Sequence, residues 1–360
     1  MNVSYGLIGA SELLREKSLD QSYVFSGVTE SKFNEVKEEE GIEAACLLLS
    51  SSIHHNLTLT ENIIDFLPKI NISHYRISNA IFSILSDFRK NQSMSIDDLP
   101  DHLEIANRIR QIGFLARQND ITLSVYPEYP HNLVADDDET FSLCEKELNF
   151  YSWFFETAGF PSNASNPIII TPKSEPTADS HSSAVDFVKS FYSNLKKLNQ
   201  ETQKRLVVQN ESSGFWNCVN LFKYFHVYLH EKFNHGMSLS YFNLADGDNP
   251  GSFTKDGDVV EAEVNIGAFH ETWMGVVPIF LWSELGPKGG GLDFLSGPIP
   301  NYNYNIKWEC DVRKRDKAII RYTMPEDEDK VTEEVIMTIT KNKYKKSKDF
   351  SKSFNALYDG

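Results

Sequence analysis

Eight short apolar runs punctuate this chain of 360 residues, each starting abruptly and ending in Gly, Pro, Ser or Asn, with longer amphipathic stretches between them. The runs at 3–8, 73–77, 121–125, 167–171, 205–209, 236–242, 277–281 and 305–312 read as β-strands. The intervening stretches have helical spacing. Three begin at residues that cap helices well, namely Thr29, Thr60 and Asp101, and later ones span 139–158, 182–197 and 217–233. Eight strands with helices between them predict the α/β class and, within it, a closed (β/α)8 TIM barrel whose site lies at the C-terminal ends of the strands. A doubly wound sheet is the alternative architecture. At roughly 150 residues per domain the length allows two domains, but a single barrel also fits. The barrel is expected over 1–323. From Met324 the composition turns acidic and then lysine-rich, so 324–360 is expected to be a C-terminal extension. Within it, 334–340 alternates enough to be an extra strand or part of a hairpin, and the Lys-rich end reads as a solvated tail.

Charge narrows the function classes. With 35 basic against 51 acidic residues the net charge is −16, which repels a phosphate backbone at long range, so nucleic-acid binding would require a local basic surface. A hydrophobic content of 41% is enough for a sizeable core and excludes a wholly disordered chain. Cys46, Cys144, Cys218 and Cys310 are far apart with no C-x-x-C pair, which argues against a structural zinc site and a disulfide framework. No basic region precedes the first apolar stretch, and no segment reaches the ~18 apolar residues of a membrane span. The expectation is a cytoplasmic protein with no membrane partner.

The strand ends, taken in order, carry a resemblance. YGLIGASE, HYRISNAIFSI, ITLSVYPEYPHNL, NPIIITP, KRLVVQNESSGFWN, GMSLSYFNLADGDNPG, VPIFLWSE and NIKWECDVRKRDKAI follow one another as the strand-end motifs of the UV-damage endonucleases do, over residues 1 to about 320. The chain resembles that family of phosphodiester-nicking TIM barrels, related in fold to endonuclease IV. The resemblance implies a cluster of His, Glu and Asp at the strand ends, holding two or three divalent metals that activate water and stabilise the leaving oxygen.

Those ligand positions have changed here. Ala80, Tyr126 and Thr171 stand where the family has the histidines of the second, third and fourth strands. Gln209 replaces the Glu of the fifth. Ser240 and Asn243 replace the Asp and His of the sixth, and Pro278 and Phe280 the Lys and His of the seventh. Asp311 alone keeps a carboxylate. Arg76 and Asn210 match an Arg and an Asn of the family and are expected to hydrogen-bond backbone and loops in the barrel mouth. Tyr129 and Pro130 fall near the family's lesion-probing pair, departing from it at both positions. A metal site rebuilt from displaced residues would draw on His131, His181, Glu211 and Asp311, with Glu128 and Asp246 as further carboxylates.

The remaining motifs are bland. His226 and His230 share a helix face, but Phe222, Phe225 and Phe233 surround them and no H-E-x-x-H is formed, so they read as core-edge residues. No phosphate-loop, dinucleotide or nucleophile-elbow sequence occurs. The triplet Gly289 to Gly291 reads as a flexible connection, and the D-G-D stretch after the sixth strand as an acidic excursion. The expected function is a UV-damage-endonuclease-like barrel that has lost metal-dependent cleavage, a binding or structural pseudoenzyme with no cofactor, whose partner is a protein or DNA. The alternatives are an active DNA-repair endonuclease that uses Mn or Zn at a rearranged site, and a sugar-isomerase-like small-molecule barrel.

Overall fold

The computed structural model describes residues 3–16, 23–87, 94–127, 133–134, 137–172, 181–211, 214–244, 262–284, 295 and 299–323. Among these residues nine parallel strands run in chain order: β1 (Ser4–Ile8), β2 (Ile72–Arg76), β3 (Thr122–Ser124), β4 (Ile168–Ile170), β5 (Leu206–Gln209), β6 (Ser238–Ser240), β7 (Phe242–Leu244), β8 (Ile279–Ser283) and β9 (Lys307–Asp311). β6 and β7 are one strand interrupted at Tyr241, so all eight expected strands are present within a few residues of their expected bounds.

The ladder forms two arcs, β3-β2-β1-β9-β8-β7 and β4-β5-β6. One junction is the β6–β7 interruption. The other is a single parallel bridge, Val125 to Ile168, where the Val125 N–H donates to the Pro167 carbonyl at 3.1 Å and the Ile169 N–H to the Val125 carbonyl at 2.9 Å. The buried Asn166 side chain extends this seam, its Oδ1 accepting from the Leu123 N–H at 3.0 Å. The arcs thus join into one ring, a (β/α)8 TIM barrel.

The helices are α1 (Glu12–Glu16), α2 (Glu30–Glu39), α3 (Ile42–Phe66), α4 (His102–Gln118), α5 (Asp138–Thr157), α6 (His181–Leu195), α7 (Gln200–Arg205), α8 (Cys218–Leu221), α9 (Leu229–Phe233), α10 (Ala262–Glu271) and α11 (Arg315–Thr323). Thr29 caps α2, its side chain accepting from the Lys32 N–H. The expected first helix is two, because Gly41 adopts φ 96°, a conformation that breaks the run and starts α3. Thr60 is not a helix start. It lies inside α3 with its hydroxyl turned back onto the Asn56 carbonyl at 2.9 Å, since the apolar stripe continues unbroken from the preceding turns. Asp101 does precede α4, but its carboxylate leaves the helix end and turns to α3. Between α8 and α9 the chain forms a π-helical stretch, Phe222–Tyr228. There the half-buried His226 hydrogen-bonds the Met237 carbonyl at 2.9 Å, in keeping with a core-edge role.

Between sheet and helices lies the main apolar core. On the outer face of β8 and β9, Phe280, Trp282 and Trp308 pack edge to face, and Tyr241 joins them to Phe269 of α10. The expected extension, 324–360, and the stretch 334–340 within it lie outside the described residues, as do Gly289 to Gly291 and the D-G-D stretch. No described helix is long and apolar enough to cross a membrane.

Candidate functional site in the barrel interior and mouth

Alternation along β2, β3 and β9 turns polar residues inward from strands whose other face is largely apolar. His74 and Arg76 on β2, Thr122 and Ser124 on β3, and Lys307 and Glu309 on β9 meet inside the barrel. β1 lies between β2 and β9, and Gly6 on β1 is paired with both His74 and Glu309. A Cβ at Gly6 would come within 2.8 Å of the His74 ring. The missing side chain therefore leaves the space through which β2 and β9 reach each other over β1.

Glu309 is the centre of this cluster and is fully buried. Its Oε1 accepts from Ser124 Oγ at 2.5 Å and from His74 Nε2 at 2.8 Å, and its Oε2 pairs with Arg76. Burial by itself pushes the Glu309 carboxyl up, but the Arg76 charge and the His74 hydrogen bond outweigh it and hold the group down at about 2. Burial lowers the His74 pKa more than Glu309 raises it, so at neutral pH the ring is uncharged. The bonding is then consistent throughout. His74 Nε2–H donates to Glu309, and Nδ1 accepts the Thr122 hydroxyl at 2.8 Å, whose oxygen accepts from Lys307 Nζ at 3.1 Å. Six polar side chains form one connected network across three strands.

Above it, towards the strand ends, Arg76 lies under the Tyr126 ring, 5.4 Å from its centroid. The Tyr126 hydroxyl donates to Thr171 Oγ1 at 3.0 Å, just above the bridge that joins the two arcs. Burial raises the Tyr126 pKa, with the Glu211 charge adding to the rise. Across the mouth Gln209 Nε2 donates to Ser240 Oγ at 3.1 Å, and that hydroxyl donates to the Ile279 carbonyl at 2.8 Å. Asn210 ties β5 to β7, accepting from the Phe242 N–H at 2.7 Å and donating to the Phe242 carbonyl at 3.2 Å. At the end of β9, Asp311 is paired with Arg315 of α11 at 3.1 Å and receives the Ser283 hydroxyl at 3.4 Å.

With this geometry in hand the chain can be set beside known structures. The crystal structure of SacUVDE, a UV damage endonuclease, aligns with a TM-score of 0.63 at 17% identity, covering 91% of this chain and 99% of that one. The shared feature is the fold, a TIM barrel. Weaker likenesses are a D-psicose 3-epimerase from Clostridium cellulolyticum H10 in complex with D-tagatose (TM-score 0.42, 12% identity, 78% and 91% covered) and a xylose isomerase domain containing protein from Salmonella typhimurium LT2 (0.37, 9%, 78% and 91%). No protein-family model matches the chain. No curated protein matches it in sequence.

In the barrel formed here, Tyr126, Thr171, Gln209, Ser240 and Asp311 do come to the mouth. Ala80 lies on the 3-10 stretch after β2, where its carbonyl accepts from Asn56 at 2.8 Å. Asn243 is buried on β7. Pro278 and Phe280 are not at the mouth. Pro278 precedes β8 at the opposite end of the barrel, and Phe280 belongs to the outer aromatic cluster, because register pairs it with Trp308 while Leu281 pairs with Glu309. The inward positions of β8 are Ile279, Leu281 and Ser283, one residue along from those read in the sequence. Glu128, Tyr129, Pro130, His131 and Asp246 lie outside the described residues, as does the side chain of His181.

The mouth positions do not fit a cluster of divalent metals. Among the described residues, the positions that match the family's ligands offer hydroxyls, amides and one carboxylate, Asp311, which is paired with Arg315, whereas Zn and Mn clusters require imidazole and several carboxylates. Sequence reading found the mouth but not the Glu309 network. Its signal was present: charged and hydroxyl residues at every second position of three strands, with a glycine on the strand between two of them.

Proposed function

We propose that this UV-damage-endonuclease-like barrel has lost metal-dependent phosphodiester cleavage and serves as a binding or structural protein, with a protein or DNA as its partner. One observation carries the reading. The residues at the family's ligand positions bond to one another or to the chain, as Tyr126 to Thr171, Gln209 to Ser240, and Asp311 to Arg315, instead of presenting open lone pairs to a cation. A net charge of −16 supports the same conclusion, since a nicking enzyme must bring a phosphodiester to this mouth.

The test is nicking of UV-irradiated supercoiled plasmid with Mn2+ or Zn2+. The expected result is no conversion above the rate of the unirradiated control. Metal-dependent nicking that disappears in Asp311→Asn would refute the proposal and establish a working endonuclease with a rearranged site.

A further inference from the structure

The most complete set of metal-ligating side chains among the described residues lies on the outside of the barrel, where α3 packs against α4. His54 of α3, Asp101 before α4 and Glu104 in its first turn place one ligand atom each within 4.8 Å of one another. We infer that this face binds one divalent cation of the zinc type through His54 Nε2, Asp101 Oδ2 and a Glu104 carboxylate oxygen. An imidazole with two carboxylates is a donor set for Zn2+, Co2+ or Mn2+ rather than for Ca2+ or Mg2+.

The geometry is close to what such an ion needs. At a metal–ligand distance of about 2.1 Å, neighbouring donors stand ~3.0 Å apart in octahedral and ~3.4 Å apart in tetrahedral coordination. His54 Nε2 and Asp101 Oδ2 are 2.7 Å apart, so a few tenths of an ångström separate the present hydrogen bond from a coordination edge. Glu104 is exposed and swings freely to close the third position, while His54 and Asp101 are half-buried. Ser50 of α3 donates its hydroxyl to Asp101 Oδ1, which orients the carboxylate and leaves Oδ2 for the ion. On binding, the imidazole proton moves from Nε2 to Nδ1.

Arg108 opposes the ion. Its Nη1 donates to the His54 carbonyl at 2.8 Å and stands 3.4 Å from His54 Nδ1, the atom that must carry the proton once Nε2 is a ligand. Its other end is anchored on Thr58 and Glu61. Removing the guanidinium therefore strengthens binding. The site is independent of the barrel mouth: an ion here clamps α3 to α4 and takes no part in chemistry at the strand ends.

Titration calorimetry of the full-length protein with Zn2+ tests the inference, alongside the visible absorption of a Co2+ complex. One saturable site is expected in the wild type, weakened tenfold or more in both Glu104→Gln and His54→Gln and tightened in Arg108→Met. Glu104 is exposed, so Glu104→Gln leaves the fold intact and decides the matter even if the other variants fold poorly. No site tighter than about 1 mM, or an affinity unchanged in Glu104→Gln, overturns the inference. Stoichiometric metal that survives Glu104→Gln overturns it in the same way, since the ion would then sit elsewhere in the protein.

Discussion

Replacing Glu309 by Gln keeps the shape of the barrel interior and removes the buried negative charge paired with Arg76. The amide cannot compensate the guanidinium, whose Nε is already buried without a hydrogen-bond partner, and one end of the new side chain presents N–H groups to donors. Breaking a buried ion pair from one side costs about 3–5 kcal/mol. The titration of Glu309 gives a similar figure. Its carboxyl drops from 4.5 to about 2 on folding, and at 1.36 kcal/mol per unit that is about 3 kcal/mol. Because the folded pKa is depressed, this stabilisation is present above the unfolded pKa near 4.5 and is lost as pH falls towards about 2. His74 acts in the same direction. Its folded pKa is also lowered, so below about pH 6.5 the unfolded chain binds a proton that the native state does not. Stability should therefore fall with acid from about pH 6.5 downward, and Glu309→Gln should flatten the lower part of that curve. Urea unfolding of wild type, Glu309→Gln, Arg76→Met and the double variant between pH 3 and 7.5 reads both effects. A Glu309→Gln variant within about 0.5 kcal/mol of wild type, with single-variant losses that simply add in the double, would refute the network as a coupled unit.

Two further outcomes follow from the same interior. Gly6→Ala puts a methyl group within 2.8 Å of the His74 ring and should cost about 1–3 kcal/mol by overpacking, measured by chemical denaturation. Asn166→Ala leaves the buried Leu123 N–H without its 3.0 Å acceptor at the β3–β4 seam and should cost about 1–3 kcal/mol, with faster amide hydrogen exchange at Leu123 as the local readout.

The strands were legible because burial on both faces forces compact apolar runs between turn residues, and each of the eight could be read from that alone. Thr29 was legible as a cap for an equally local reason. Thr60 misled because a capping residue type inside a long stripe has the same local appearance as one at its head, and only the continuity from Asn56 to Ile63 shows the difference. The mouth was half legible. Tyr126, Thr171, Gln209 and Ser240 could be placed from the order of strand ends, but Phe280 could not be given a face, since in an all-apolar run such as IFLWS a slip of one residue exchanges inside for outside. Register fixes it through Trp308. Glu309 is harder to read from sequence because Asp311, two residues on at the end of β9, occupies the position that matches the family's ligand. Both residues point inward, and the deeper one, matched to His74 and Arg76 across a strand that carries only glycine, is where the charge lies.

The seam between β3 and β4 has one more implication. Elsewhere the barrel wall is backbone ladder, which evolution cannot alter without unmaking a strand. At this gap the wall consists of one bridge, an asparagine below it and the Tyr126–Thr171 contact above. The upper part of this join rests on two side chains, so a single codon change there alters it without breaking a strand ladder, while the charged layer beneath keeps its own bonds.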